Sequence, residues 1–145
     1  MDNGLNARDL LDRLELLDEC QAALRRLASD SAEQIASEPI KTAALERYLQ
    51  IAAQVCIDVG NHIAAAYGLR SPKSYADVFQ VLKEHDVLES NLADRMAELA
   101  RLRNILVRLY LDVDINLLHA ALRTGVDDFS LFSQQVLKFV EADKQ

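Results

Sequence analysis

The longest periodic segment of the chain runs from Thr42 to Tyr67 and reads TAALERYLQIAAQVCIDVGNHIAAAY. Its apolar residues recur at steps of three and four, the spacing that places side chains on one face of an α-helix; they are Leu45, Leu49, Ala52, Cys56, Val59 and Ile63. Gly68 follows directly and Pro72 comes soon after, which favours the end of a helix there. The segment therefore predicts a long helix and an all-α fold.

The same periodicity predicts helices on both sides of this segment, and alternating strand patterns are absent. A first helix covers roughly residues 7–29, is capped by Asn6 and precedes a polar link through Ser37-Glu38-Pro39. After the long second helix, a third helix runs from Ser74 to about His85 and a fourth from Ser90 through Leu109. A brief fifth helix runs from Asp114 or Asn116 to Thr124-Gly125, and a sixth begins at Asp127 or Asp128. We expect an up-and-down bundle of five or six helices, the second and fourth longest and central, forming one domain over residues 1–145.

Composition limits the classes of protein that this chain can be. Half of its 145 residues are apolar, but no apolar run approaches the ~20 residues of a membrane span. The start of the chain lacks a basic region followed by an apolar stretch, so we expect no signal peptide and a cytoplasmic location. Cys20 and Cys56 form no CxxC pair and are expected to be buried, reduced thiols.

The charge balance is acidic, with 16 lysines and arginines against 23 aspartates and glutamates, a formal net charge of −7. A general, sequence-independent nucleic-acid binder would be basic overall, so this balance argues against that class. A small basic site for one phosphate, or a surface assembled from two chains, remains compatible with it.

One such basic cluster is Arg103-Asn104-Ile105-Leu106-Val107-Arg108-Leu109-Tyr110. On a regular helix Arg103 and Arg108 diverge by roughly 140°, so one straight helix cannot aim both at one ligand atom. Either the helix distorts or ends near Leu109, or two copies of the chain face each other across a two-fold axis and share a cleft. The ordinary alternative is that these arginines are solvated or paired with nearby carboxylates.

The cluster closely resembles the signature of the HepT-like toxins of the HEPN superfamily, Arg-Asn, three residues, His-x-Tyr. Two upstream blocks also resemble that family: residues 45–62, which contain Leu45-Glu46-Arg47-Tyr48-Leu49-Gln50 and Asp58-Val59-Gly60-Asn61-His62, and residues 74–82, which begin Ser74-Tyr75-Ala76-Asp77. With the Tyr-x-x-x-Asp continuation to Asp114, the resemblance covers roughly residues 45–115.

The resemblance implies a homodimeric helical bundle and a metal-independent endoribonuclease without a cofactor, whose active cleft follows the dimer interface. It also implies the toxin half of a two-gene system, with a nucleotidyltransferase antitoxin of the MNT type that adenylylates the motif tyrosine, here Tyr110. Arg103 would bind and stabilise the phosphate, Asn104 would donate to a phosphate oxygen or position the helix, and Arg101 would assist RNA binding.

The chain departs from the family at Arg108, which occupies the position of the motif histidine. Arginine stays protonated near neutrality and cannot act as a general base, although it can still bind phosphate. Arg108 is therefore either a natural feature of a toxin-like binding protein or an inactivating change that allows a toxic protein to be produced; the intact remainder of the motif favours the second. Two functions follow: a ribonuclease impaired at Arg108, or a non-catalytic helical module that pairs with a nucleotidyltransferase.

Overall fold

The computed structural model describes residues 4–108 and 112–143. Over these residues the chain forms six helices and no strand, which confirms the all-α prediction. The helices are α1 (Ala7–Ala28), α2 (Ala32–Ala36), α3 (Pro39–Ala66), α4 (Tyr75–Glu84), α5 (Ser90–Leu106) and α6 (Ile115–Asp143). None of these helices combines the length and the apolar character that crossing a membrane requires.

The sequence located the end of the predicted long helix correctly but placed its beginning three residues too late. The helix α3 begins at Pro39 rather than Thr42, because the fixed φ of proline suits the first helical turn. Its end agrees with the prediction: Gly68 has φ +67, and the amide of Leu69 donates to the carbonyl of Ala64 at 2.9 Å. The proline that was expected in a link therefore starts the central helix.

The short helix α2 lies in the stretch predicted to be a polar link. Its capping box joins Ser31 and Gln34: the Ser31 hydroxyl accepts from the Gln34 amide at 3.1 Å, and the Gln34 side chain accepts from the Ser31 amide at 2.7 Å. Five residues are too few for apolar periodicity to reveal, although Ile35 is fully buried.

The caps of α1 and α4 were predicted correctly. Asn6 accepts from the amide of Asp9 at 3.0 Å, and Ser74 accepts from the amide of Asp77 at 3.1 Å. In α5, however, Ser90 is already helical and Glu89 is the capping residue. This helix ends at Leu106, three residues before the predicted end at Leu109.

The predicted fifth and sixth helices are a single helix, α6, which runs through Gly125 without a break. The expected cap residue Asp128 is instead buried within the helix, where it accepts hydrogen bonds from Arg95 of α5 at 3.0–3.1 Å. With 29 residues α6 is longer than α3, which has 28, and the predicted fourth helix, α5, has only 17. The expectation that the second and fourth helices are longest was therefore wrong for the fourth.

The core surrounds α3, which packs against all five other helices and so confirms its predicted central place. Gly60 brings α3 close to Val78 and Leu82 of α4, where a Cβ atom would overlap the Val78 side chain. Cys20 and Cys56 are buried, free thiols as expected, and burial raises the pKa of both. The central helix thereby fixes the relative positions of α1, α4 and α5, which carry the polar groups described next.

Candidate functional site

Arg103 is half-buried in the last turn of α5 and is held from two sides. Its guanidinium carbon lies 5.0 Å from the centroid of the Tyr75 ring at the start of α4, a cation–π contact. Its Nη1 donates to Oδ1 of the adjacent Asn104 at 3.3 Å. Its Nε is buried and has no hydrogen-bond partner among the described residues. No described carboxylate forms an ion pair with this arginine, so its charge is available to an anion.

Arg103 also lines a cavity of about 270 Å³ between α1, α3 and α5, which we call the three-helix cavity. The other residues in its walls are Arg13, Leu16, Arg47, Gln50, Ile51, Gln54, Val55 and Asp58. Most of them come from a single face of α3. The packing of the central helix therefore brings a polar strip of α3 up to the motif arginine.

Asp58, the one carboxylate among the described residues of the three-helix cavity, already has partners. It accepts from Gln54 Nε2 at 2.8 Å and lies 3.4 Å from Arg13 Nη1. Arg13 is also bonded to Asp9 at 2.9 Å, and that hydrogen bond raises its pKa. Within the described part of the chain, Arg47 and Arg103 form no ion pair, so the cavity retains two uncompensated positive charges.

Arg108 lies outside α5, two residues after its last helical position. It is exposed, and its backbone amide donates to the carbonyl of Ile105 at 3.1 Å. The sequence left two explanations for the roughly 140° between Arg103 and Arg108: the helix distorts or ends near Leu109, or two copies of the chain share a cleft. The structure shows that the helix ends before Arg108. A cleft shared by two copies remains a prediction. Tyr110, the predicted modification site, lies outside the described residues.

The structure does not bring Arg101 to the same place as Arg103. Arg101 pairs with Glu98 at 2.7 Å and lines a separate cavity of about 440 Å³. That cavity is bordered by the ion-pair cluster in which Arg70 contacts Asp77 and Glu84 at 2.8 Å. The predicted role of Arg101 in RNA binding therefore stays a prediction, and Arg101 lies at a different cavity from Arg103.

Several residues of the site carried no predicted role. Four of them lie on one face of α3, because they are spaced by three and four residues: Arg47, Gln50, Gln54 and Asp58. This polar strip on a mostly apolar helix is visible in the sequence and could have indicated a site there. Tyr75 is different: its contact with Arg103 depends on how α4 packs against α5, which no local pattern reports.

The histidines do not form a metal site in the described ranges, where no group of three or more His, Cys, Asp or Glu side chains is arranged to hold a metal ion. His119 Nε2 is hydrogen-bonded to the Asp30 carbonyl at 2.9 Å, between α6 and the end of α1. That histidine therefore has a structural partner.

Known proteins match this chain both in sequence and in fold. A family profile described as "Ribonuclease HepT-like" matches residues 15–136. The tRNA nuclease HepT of Aphanizomenon flos-aquae is 30% identical over 130 residues, 88% of this chain and 87% of that protein. The mRNA nuclease HepT of Shewanella oneidensis is 30% identical over 84 residues, 58% of this chain and 63% of that protein.

Solved structures of similar fold include a tri-AMPylated HEPN toxin of Shewanella oneidensis in complex with an MNT antitoxin. The match to that toxin has a TM-score of 0.81 at 22% identity and covers 89% of this chain and 96% of that one. YutE of Bacillus subtilis, described as a cytosolic protein of unknown function, has a TM-score of 0.84 at 21% identity and covers 99% and 95%. The likeness to these structures concerns the fold. The family profile and the first relative, each covering most of the chain, show that this protein belongs to the HepT-like ribonuclease family.

Proposed function

We propose that this protein is the toxin of a HEPN/MNT toxin–antitoxin pair, a cytoplasmic endoribonuclease formed by a single domain over residues 1–145 whose cleavage step is impaired by Arg108. The observation that supports it most directly is Arg103, a half-buried arginine without a described carboxylate partner in the wall of a polar cavity. In an acidic protein, such an arginine is suited to a phosphate group because its planar guanidinium binds phosphate oxygens in pairs.

The proposed reaction needs no metal ion. The ribose 2′-hydroxyl attacks the adjacent phosphorus, and the bond from phosphorus to the 5′ oxygen of the next nucleotide breaks. The leaving 5′ oxygen takes up a proton from water, so a 2′,3′-cyclic phosphate and a 5′-hydroxyl end remain. Arg103 would stabilise the negative charge that develops on the phosphoryl oxygens, and Asn104 would position that arginine. A base must accept the proton of the 2′-hydroxyl, and a general base typically contributes ~10²–10⁴-fold.

Arg108 cannot supply that base because a guanidinium remains protonated near neutrality. The exposed position of Arg108 beyond the end of α5 suits a residue that reaches a cleft shared with a second copy of the chain. We therefore place the active cleft at a two-fold homodimer interface, in which the motif segments of the two protomers face each other. RNA would be bound there by Arg103 and Arg108, with slow cleavage.

The proposed partner is an MNT-type nucleotidyltransferase antitoxin, which would transfer adenylate to Tyr110. This proposal draws on the Shewanella oneidensis toxin, which is described as tri-AMPylated and in complex with an MNT antitoxin. An adenylate on Tyr110, two residues after Arg108 in the sequence, would add negative charge and bulk, so it would compete with RNA phosphate for the arginines of the motif.

A second candidate function is a non-catalytic helical module that only binds the nucleotidyltransferase, and Arg108 in the motif is the observation that favours it. Controlled expression of an Arg108→His variant in bacterial cells separates the two. Growth arrest with loss of intact RNA, both abolished by a further Arg103→Ala change, supports the ribonuclease. An Arg108→His protein that folds and leaves growth and RNA unchanged would refute it in favour of the module.

A further inference from the structure

The three-helix cavity contains a second arginine that the motif does not include. We infer that Arg47 of α3 is a second phosphate-binding residue of the RNA site, acting beside Arg103 and contacting a neighbouring phosphate of the same strand. The inference rests on the proposed function, since it assumes RNA as the ligand, and it extends the site from the end of α5 onto the central helix.

The charges around the three-helix cavity support this assignment. Three arginines and one carboxylate line it, and Arg13 is neutralised by Asp9 and Asp58. Arg47 is exposed and, among the residues that the structure describes, has no ion-pair partner. Two cations without an ion pair therefore line one cavity of a chain whose net charge is −7, and a polyanion is the ligand that would compensate both of them.

The hydrogen bonds give a second, independent indication. Among the residues that the structure describes, two buried atoms in the cavity walls have no hydrogen-bond partner: Nε of Arg103, a donor, and Oε1 of Gln54, an acceptor. Buried polar groups in folded proteins are nearly always paired, so each unpaired one calls for an explanation, such as a functional role, an ion or a water. A ribonucleotide offers both complements, because its phosphate oxygens accept and its 2′-hydroxyl can donate.

The position of Arg47 also suits an extended strand. Arg47, Gln50 and Gln54 lie along one face of α3, whose backbone is held in place by packing against the other described helices. Arg103 reaches the same cavity from α5. A sugar–phosphate backbone lying along the cavity would meet Arg103 at one phosphate and Arg47 at the next, with Oε1 of Gln54 available to the intervening ribose.

The test measures the affinity of the purified protein for a short fluorescein-labelled single-stranded RNA by anisotropy, over a series of salt concentrations. The protein with Arg108 is used because it is expected to bind RNA without rapid cleavage. We expect Arg47→Ala to weaken binding by about tenfold, the size of one charge-assisted contact. The slope of log affinity against log salt should fall by about 0.7, as for one lost phosphate contact on a single strand.

Two further variants define the contact. Arg47→Lys should keep the salt slope and lose only part of the affinity, because the charge remains and the paired guanidinium bonds are lost. Arg26→Ala is the matched control: Arg26 is an exposed arginine on α1, outside the cavity and without an ion pair within the described ranges. It should bind RNA like the parent. All three variants should keep the parent melting temperature, since both arginines are exposed.

The outcomes separate this inference from the proposed function. Unchanged affinity and slope in Arg47→Ala, together with a loss in Arg103→Ala, would overturn the role of Arg47 and leave the RNA site at Arg103 standing. Equal losses in Arg47→Ala and Arg26→Ala would show a diffuse charge effect and overturn it as well. A parent protein that binds no RNA would overturn both.

Discussion

The guanidinium of Arg103 lies over the ring of Tyr75, with 5.0 Å between the guanidinium carbon and the ring centroid. The contact joins the end of α5 to the start of α4, and Ser74 caps α4 immediately before the tyrosine. Tyr75 is itself 41% exposed, so the pair lies at the protein surface. The contact restricts the arginine to an orientation that also reaches the three-helix cavity.

The first prediction concerns this contact. Tyr75→Ala should weaken RNA binding by about two- to fivefold, since an exposed cation–π contact is worth ~0.5–1 kcal/mol. Tyr75→Phe keeps the ring and should bind like the parent. The measurement is RNA affinity by fluorescence anisotropy. Equal weakening in both variants would show that the hydroxyl, rather than the ring, matters.

The second prediction compares two glycines in the interior of long helices. Gly60→Ala should destabilise the protein by about 1–3 kcal/mol, because the new Cβ would overlap Val78 and lie 3.2 Å from Leu82 Cδ1. Gly125→Ala should stabilise it by about 0.5–1 kcal/mol, because no atom of the described residues lies within 4 Å of its Cβ position and alanine favours the helix. Urea unfolding measures both. A second change, Val78→Ala, should restore much of the stability lost in Gly60→Ala; no recovery would contradict the steric explanation.

The third prediction concerns pH. The Arg70 guanidinium, with help from the Lys73 amide, lowers the pKa of Asp77 from 3.8 to about 2. A carboxyl with a lowered pKa stabilises the folded protein above its ordinary value of 3.8, and that stabilisation is lost as the pH falls towards about 2. The carbon-13 chemical shift of the Asp77 carboxyl should report this midpoint. In Arg70→Ala the pKa should rise part of the way back, because the Lys73 amide still donates. An unchanged pKa in that variant would contradict the assignment to Arg70.

The fourth prediction concerns silencing. Incubation with its cognate nucleotidyltransferase and ATP should add adenylate to Tyr110, the phenolic oxygen attacking the α-phosphorus while pyrophosphate leaves. Peptide mass spectrometry should locate the added mass on the peptide containing residue 110, and the modified protein should bind RNA less tightly. The matched control is Tyr110→Phe, which lacks only the hydroxyl. Modification that persists in this variant would place the target elsewhere.

Much of the fold could be predicted because its determinants are local. The apolar spacing of α1 and α3, the caps Asn6 and Ser74, and the glycine after α3 are short-range features, and all were located correctly. The predicted break in α6 failed because Asp128 and Gly125 are typical of helix ends, whereas here Asp128 is stabilised inside a helix by Arg95 of α5. A tertiary ion pair thus overrode a local signal.

The candidate site likewise combines residues that a local motif identifies with residues that only the packing of the helices brings together. Arg103 and Asn104 were identified from their motif, and the structure keeps them in contact. The cavity beside them could not be inferred from that motif, because Arg47 and Gln54 reach it only through the packing of α3 against α5. The end of α5 before Arg108 was also missed, since the apolar spacing continues through Leu109.

The most direct measurement compares the single-turnover RNA cleavage rates of the purified protein with Arg108 and of its Arg108→His variant. We expect the histidine variant to cleave RNA about 10²–10⁴-fold faster. Its rate should rise with pH through a midpoint near ~6.5, the ordinary pKa of histidine. A further Arg103→Ala change should abolish this activity. Equal rates for the two proteins, with the same dependence on pH, would contradict the claim that position 108 is where the catalytic base of this ribonuclease is missing.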